Sequence, residues 1–128
     1  MRLAIPVKLN KENPPIAPLF GKAKWFAIVE NGEIFIMPNS QSGGQAVIEL
    51  FYEMKIDALL IQEMGTNPYE KVKQYGIMLY HTGFEPVLLN DILKKFKSGE
   101  LEILDDTNMD KIIKHHEKRH THSHSHHE

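Results

Sequence analysis

The chain has 128 residues, 41% of them hydrophobic and 25% charged, with 15 Lys and Arg against 17 Asp and Glu and no cysteine. That length supports one domain with a sizeable core. The net charge of −2 lacks the basic surplus that phosphate neutralisation needs, so no nucleic-acid partner is expected. The missing thiols exclude a disulfide scaffold and thiolate ligation of zinc or an iron–sulfur cluster by this chain.

No apolar run approaches the roughly 20 residues that span a bilayer. Met1 to Val7 gives way to Lys8 too soon for a secretory leader, so a cytoplasmic address and no membrane partner are expected. Arg2 to Val7 is a compact apolar run suited to a central strand, with Pro6 limiting its pairing. Lys8 to Pro18 holds Pro14, Pro15 and Pro18 and reads as a surface loop. Trp25–Val29 and Glu33–Met37 are β-rich runs around Glu30-Asn31-Gly32, a strong hairpin signal because a type I′ turn needs positive φ at both central residues.

After the polar loop Asn39 to Gly44, Val47, Leu50, Phe51 and Met54 fall at i, i+3, i+4 and i+7, one helical stripe. Ile56 to Ile61 is an aliphatic run of the kind buried on both faces of a parallel sheet. A Gly-containing turn follows, with Asn67 placed as N-cap, Pro68 as first helical residue and Glu70 as capping-box partner. That helix should stop at Gly76. Ile77 to Tyr80 reads as a strand, and a last helix is expected from about Pro86, ended by Ser98-Gly99. Leu101 to Leu104 should fold back on the core.

These elements predict an α/β domain over residues 1–104: a three-layer α/β/α sandwich with a five-stranded mixed sheet, an antiparallel hairpin followed by βα units. Beyond it, Asp105 to Asn108 reads as a linker, and Met109, Ile112 and Ile113 support one more helical turn. Residues 105–128 as a whole are expected to be linker and disordered tail.

The order of motifs resembles the dinitrogenase iron–molybdenum cofactor biosynthesis family, the NifX-like domains also found at the end of NifB-type proteins. The matching stretches are Leu3-Ala4-Ile5-Pro6-Val7, Phe20-Gly21-Lys22-Ala23, Gly43-Gly44, Ile56-Asp57-Ala58-Leu59-Leu60, Gly65-Thr66-Asn67-Pro68, Gly76-Ile77 with Tyr80, and Leu93 through Phe96 to Leu101. The resemblance implies a ribonuclease H-like fold and a domain that carries an iron–molybdenum or iron–sulfur cofactor or its precursor. One position departs: where many members read His-Phe-Gly, this chain reads Leu19-Phe20-Gly21, and a leucine cannot ligate metal.

Candidate cofactor-binding residues are Gly65, Thr66 and Asn67, whose turn could present N–H groups at a helix N-terminus, and Gly43 and Gly44 before the first helix. His81 is the one histidine of the globular part and ends its last core strand. Met37 and Met64 are assigned to the core. The other seven histidines, His115, His116, His120, His122, His124, His126 and His127, form a tract interrupted by Thr, Ser, Glu and Arg, unlike the unbroken run of a purification tag. Neutral imidazoles at this density suit Zn or Ni.

The sequence bears on three functions. A two-metal nuclease needs clustered carboxylates, but the first strand holds none, and no Ser/His/Asp or Cys/His set exists; no enzyme is expected. The favoured reading is a non-catalytic carrier for a metal cluster, with a metal-binding tail and a possible partner metalloprotein. The alternative is a Ni or Zn handling protein whose domain is a scaffold or partner-binding module.

Overall fold

The computed structural model describes the backbone of residues 1–125 and the side chains of residues 1–117. Six strands form one mixed sheet: β1 Leu3–Val7, β2 Trp25–Glu30, β3 Glu33–Pro38, β4 Ala58–Ile61, β5 Met78–His81 and β6 Glu102–Ile103. Their order is β3-β2-β1-β4-β5-β6. β1 pairs parallel with β4, and β4 with β5; the remaining pairs are antiparallel. At the β2–β3 turn Asn31 and Gly32 both take positive φ, 52° and 80°, as a type I′ turn requires.

The expected five strands become six. Glu102 and Ile103 pair with His81 and Tyr80, and Leu104 N–H donates to Leu79 O at 2.7 Å. Two exposed residues are too short a ladder to leave a periodic signature, so the sequence showed only an apolar patch there.

Side-chain alternation along the central strands divides the core. Leu3, Ile5 and Val7 of β1 join Ala58 and Leu60 of β4 on one face, covered by Leu89 and Ile92. Ala4, Leu59 and Ile61 face the other way, toward Val47, Ile48, Phe51, Val72, Met109 and Ile112. The helices supplying these residues are α1 Gly44–Glu53, α2 Thr66–Tyr75, α3 Leu89–Lys97 and α4 Met109–Ser125. α3 thus covers one face and α1, α2 and α4 the other, so β4 is apolar at every position. Phe26 packs edge-on against Phe51 at 5.0 Å, with Phe20 beside both rings.

Three boundaries differ from expectation. α2 begins at Thr66 behind Gly65, with no side-chain cap. Asn67 and Pro68 therefore lie inside its first turn, where a missing N–H still costs nothing. Glu70 pairs forward with Lys73 at 3.3 Å instead of capping backwards. α3 starts at Leu89, later than Pro86, because the preceding residues run beside the proline-rich loop: Ile16 N–H donates to Val87 O and Leu89 N–H to Pro14 O, both at 2.9 Å. The α2 stop at Gly76 is as expected, with φ 67°.

The third difference concerns the C-terminal segment. Asp105 accepts from Thr107 N–H at 2.9 Å, and Asn108 accepts from Asp105 N–H at 2.8 Å, a local turn that launches α4. Tyr69 O–H and Lys73 Nζ both reach Asp106, at 2.6 and 3.2 Å. Met109 and Ile112 are buried to 1% and 0% exposure, so the packed unit continues past residue 104. The expected single turn is instead a helix through Ser125, anchored by that apolar pair. His126 and His127 lie outside the described residues.

Candidate functional site

The register places six chain segments at one edge of the sheet. β1, β4 and β5 end there, β2 begins there, and β3 ends there because Pro38 pairs with Trp25. β6 also begins there, with Glu102 opposite His81. The edge is not closed by strand pairing. β1 pairs with β4 only at Leu3–Ala58 and Ala4–Leu59, and beyond that point the two strands separate.

Pro6 explains the separation. Its carbonyl accepts from Ala17 N–H at 2.9 Å, so its nitrogen faces the same side, toward β4, and has no proton to give a ladder. Residues 15–20 fill the opening. Lys8 N–H donates to Pro15 O at 2.9 Å, Glu63 N–H to Pro18 O at 3.1 Å, and Phe20 N–H to Glu63 O at 3.3 Å. Leu19 bridges Glu63 directly, which puts the position of the altered His-Phe-Gly motif at the end of β4.

The two glycine turns meet here. A Cβ on Gly44 would lie 2.5 Å from Pro68 Cγ, and one on Gly21 would lie 3.1 Å from Gly44 N. The N-termini of α1 and α2 therefore sit side by side, and neither has a side-chain cap. The first-turn N–H groups of both helices point out of this edge without intrahelical acceptors, and their dipoles add positive potential to it. Gly43, Thr66 and Asn67 are exposed at this edge. Gly44 is fully accounted for by its contact with Pro68. Gly43 is required by its φ of 91°, and a Cβ there would meet nothing within 4 Å.

At the same edge, beyond the end of β4, lies Glu63, with 0% exposure. His115 Nε2 stands 3.2 Å from Glu63 Oε2 and His116 Nδ1 stands 3.9 Å from Oε1. The His116 ring also covers Gly65, where a Cβ would sit 3.4 Å from Nε2. Gly65 itself has ordinary extended geometry, φ −79° and ψ 172°, and a Cβ 3.4 Å from the imidazole would be in ordinary contact, so neither backbone nor ring requires glycine there.

His81 lies on the neighbouring strand, paired with Ile61. Its Nε2 lies 3.1 Å from Gln62 O, and its ring meets Phe84 at 4.7 Å. Phe84 in turn lies 4.4 Å from the His115 ring. Burial pushes the His81 pKa below its usual value, opposed by the Gln62 hydrogen bond and aided by the Lys111 charge.

The structure thus brings Gly43, Gly44, Gly65, Thr66, Asn67, His115 and His116 together, and links His81 to them through Phe84. The side chains of His120, His122 and His124 lie outside the described residues, as do His126 and His127. Among the described residues, no three His, Asp or Glu side chains form a group arranged to hold a metal ion. Glu63 was missed. An acidic residue two places after a buried aliphatic strand was the available signal, but only the tertiary placement of α4 shows its partners. Met64 lies in the core and Met37 packs against it, as assigned.

Fold and edge together define an α/β domain whose sheet rim gathers two helix N-termini without side-chain caps. The chain belongs to the dinitrogenase iron-molybdenum cofactor family, which matches residues 1–99. It is 30% identical over 112 residues to an uncharacterised protein of Methanocaldococcus jannaschii, covering 80% of this chain and 90% of that one. The fold is similar to the solution structure of a Thermotoga protein described as a NifB candidate, at TM-score 0.69 and 24% identity over 80% of this chain and 92% of that one. It is also similar to the apo form of the orange protein of Desulfovibrio gigas, at TM-score 0.72 and 16% identity over 80% and 92% of the two chains. No helix among the described residues is long and apolar enough to cross a membrane.

Proposed function

We propose that this domain is a non-catalytic cytoplasmic carrier that holds an iron–molybdenum or iron–sulfur cofactor, or a precursor of one, as cargo for a partner metalloprotein. The observation that supports this most is the pairing of two uncapped helix N-termini through Gly44 and Pro68 at the open rim of the sheet. Such a rim suits an anionic cluster, because fixed N–H dipoles receive negative charge without bringing a counter-ion. Gly43, Gly44, Gly65, Thr66 and Asn67 form the docking edge in this reading, with His81 behind it. A ribonuclease H-like layering of the sheet accords with helices on both faces. The histidine tract would add capacity for Zn or Ni beside the cargo site.

The test is anaerobic incubation of the full chain with extracted iron–molybdenum cofactor, followed by gel filtration with iron and molybdenum analysis. Asn67→Glu is the control: a carboxylate in the first turn suits the helix dipole but repels an anionic cargo. The expected result is metal retained by the native chain and lost from N67E. No retention, or equal retention by both, would refute the reading.

A further inference from the structure

We infer that α4 is a built-in occupant of the rim, its His115–His116 pair standing against the inner end of the site proposed above and having to withdraw before cargo seats against Gly65. The inference rests on that proposed site and adds its regulation.

Four observations carry it. The family match ends at residue 99, so α4 is an addition outside the matched region. It is held in place by Met109 and Ile112, buried among residues of α1, α2 and the sheet, so its histidines are positioned, not trailing. The His116 ring lies over Gly65, on the turn that presents the α2 N-terminus. His115 stands against the fully buried Glu63 at 3.2 Å, while its other face meets Phe84.

The two contacts act as a latch. Both imidazoles are partly exposed, with side-chain exposures of 41% and 34%, so they can leave without opening the core, and Met109 and Ile112 remain as the hinge end. The outer edge, Gly43, Thr66 and Asn67, stays accessible in the closed form. Cargo can therefore engage that edge first and displace the rings second. Because a site that is open only part of the time binds with an affinity reduced by its open fraction, a latch lowers apparent affinity without altering the site's own contacts.

Removing the histidines alone would also bare the Glu63 charge to an anion, so the steric role is read in a neutral background. The tetrathiomolybdate dianion, a molybdenum–sulfur anion with its own visible absorption, is titrated into full-length E63Q and into the triple variant E63Q/H115A/H116A. About tenfold tighter binding by the triple variant is expected. Equal affinity would overturn the inference, and weaker binding would overturn it by making the imidazoles ligands.

A second measurement needs no ligand. Hydrogen exchange at the Gly65 amide is compared in the native chain and in H115A/H116A. Exchange faster by about tenfold in the variant is expected, and unchanged exchange would overturn the inference. If no protein binds the dianion but exchange accelerates, the latch stands and the cargo reading falls.

Discussion

Replacing Gly44 with alanine tests whether the two helix N-termini are held together as described. The backbone at Gly44 is not in the positive-φ region, so alanine is locally acceptable and would gain up to about 1 kcal/mol of helix propensity, less in a first turn. Against this, the new Cβ would lie 2.5 Å from Pro68 Cγ and 3.1 Å from Pro68 Cβ. Ordinary carbon contacts are about 3.5–4.0 Å, so the overlap is roughly 1 Å. The proline ring cannot rotate away as a flexible side chain would, because it is closed on its own backbone. Overpacking of this kind costs about 1–3 kcal/mol, which outweighs the propensity gain and leaves a net loss of about 1–2 kcal/mol.

Urea unfolding reads this directly. With a slope of about 2 kcal/mol/M, the midpoint should fall by about 0.5–1 M with the slope unchanged. Pro68→Ala in the G44A background removes Cγ and should recover part of the loss, the sign of a direct coupling. Gly43→Ala should also destabilise, through its φ of 91°, but P68A should not rescue it. A G44A protein as stable as the native one, or no recovery on adding P68A, would refute the reasoning.

Ile112→Ala should cost about 2–5 kcal/mol in urea unfolding, since Ile112 has 0% exposure; a loss under about 0.5 kcal/mol would mean α4 is not part of the cooperative unit. His81 has its pKa lowered by burial, so the unfolded chain takes up its proton first as pH falls. Its contribution to stability is complete above about pH 6.5 and is lost as pH drops through the folded value. His81→Gln should therefore flatten the unfolding free energy between pH 7 and 4, and an unaltered slope would refute the assignment. The Tyr69 phenol is pushed upward by burial and then by its bond to Asp106. Alkaline titration of the four tyrosines to pH 11.5 should lose no absorbance step on Tyr69→Phe; a lost step would place that phenol in water.

Much of this architecture was legible because it is local. Asn31-Gly32 dictates its hairpin through φ alone, Gly76 ends α2 for the same reason, and the all-apolar Ala58–Ile61 run could only be a doubly covered strand. The glycine turns were visible as candidates, but their meeting was not, since Gly44 and Pro68 are neighbours only after β4 pairs beside β1. Asn67 misled because its cap chemistry is strong in isolation; Gly65 took the cap position once Pro68 was drawn against Gly44. The tail misled for a different reason. Met109 and Ile112, at a spacing of three, signal a helical turn, but no periodic rule reveals that they bury against the sheet or that Glu63 lies at the far end.

Pro6 has a consequence for how such a domain can change over time. The missing amide at that position leaves the ends of β1 and β4 to be joined through residues 15–20, which bond to both by backbone groups. Side chains along that insert, Leu19 among them, can therefore change while the shape persists.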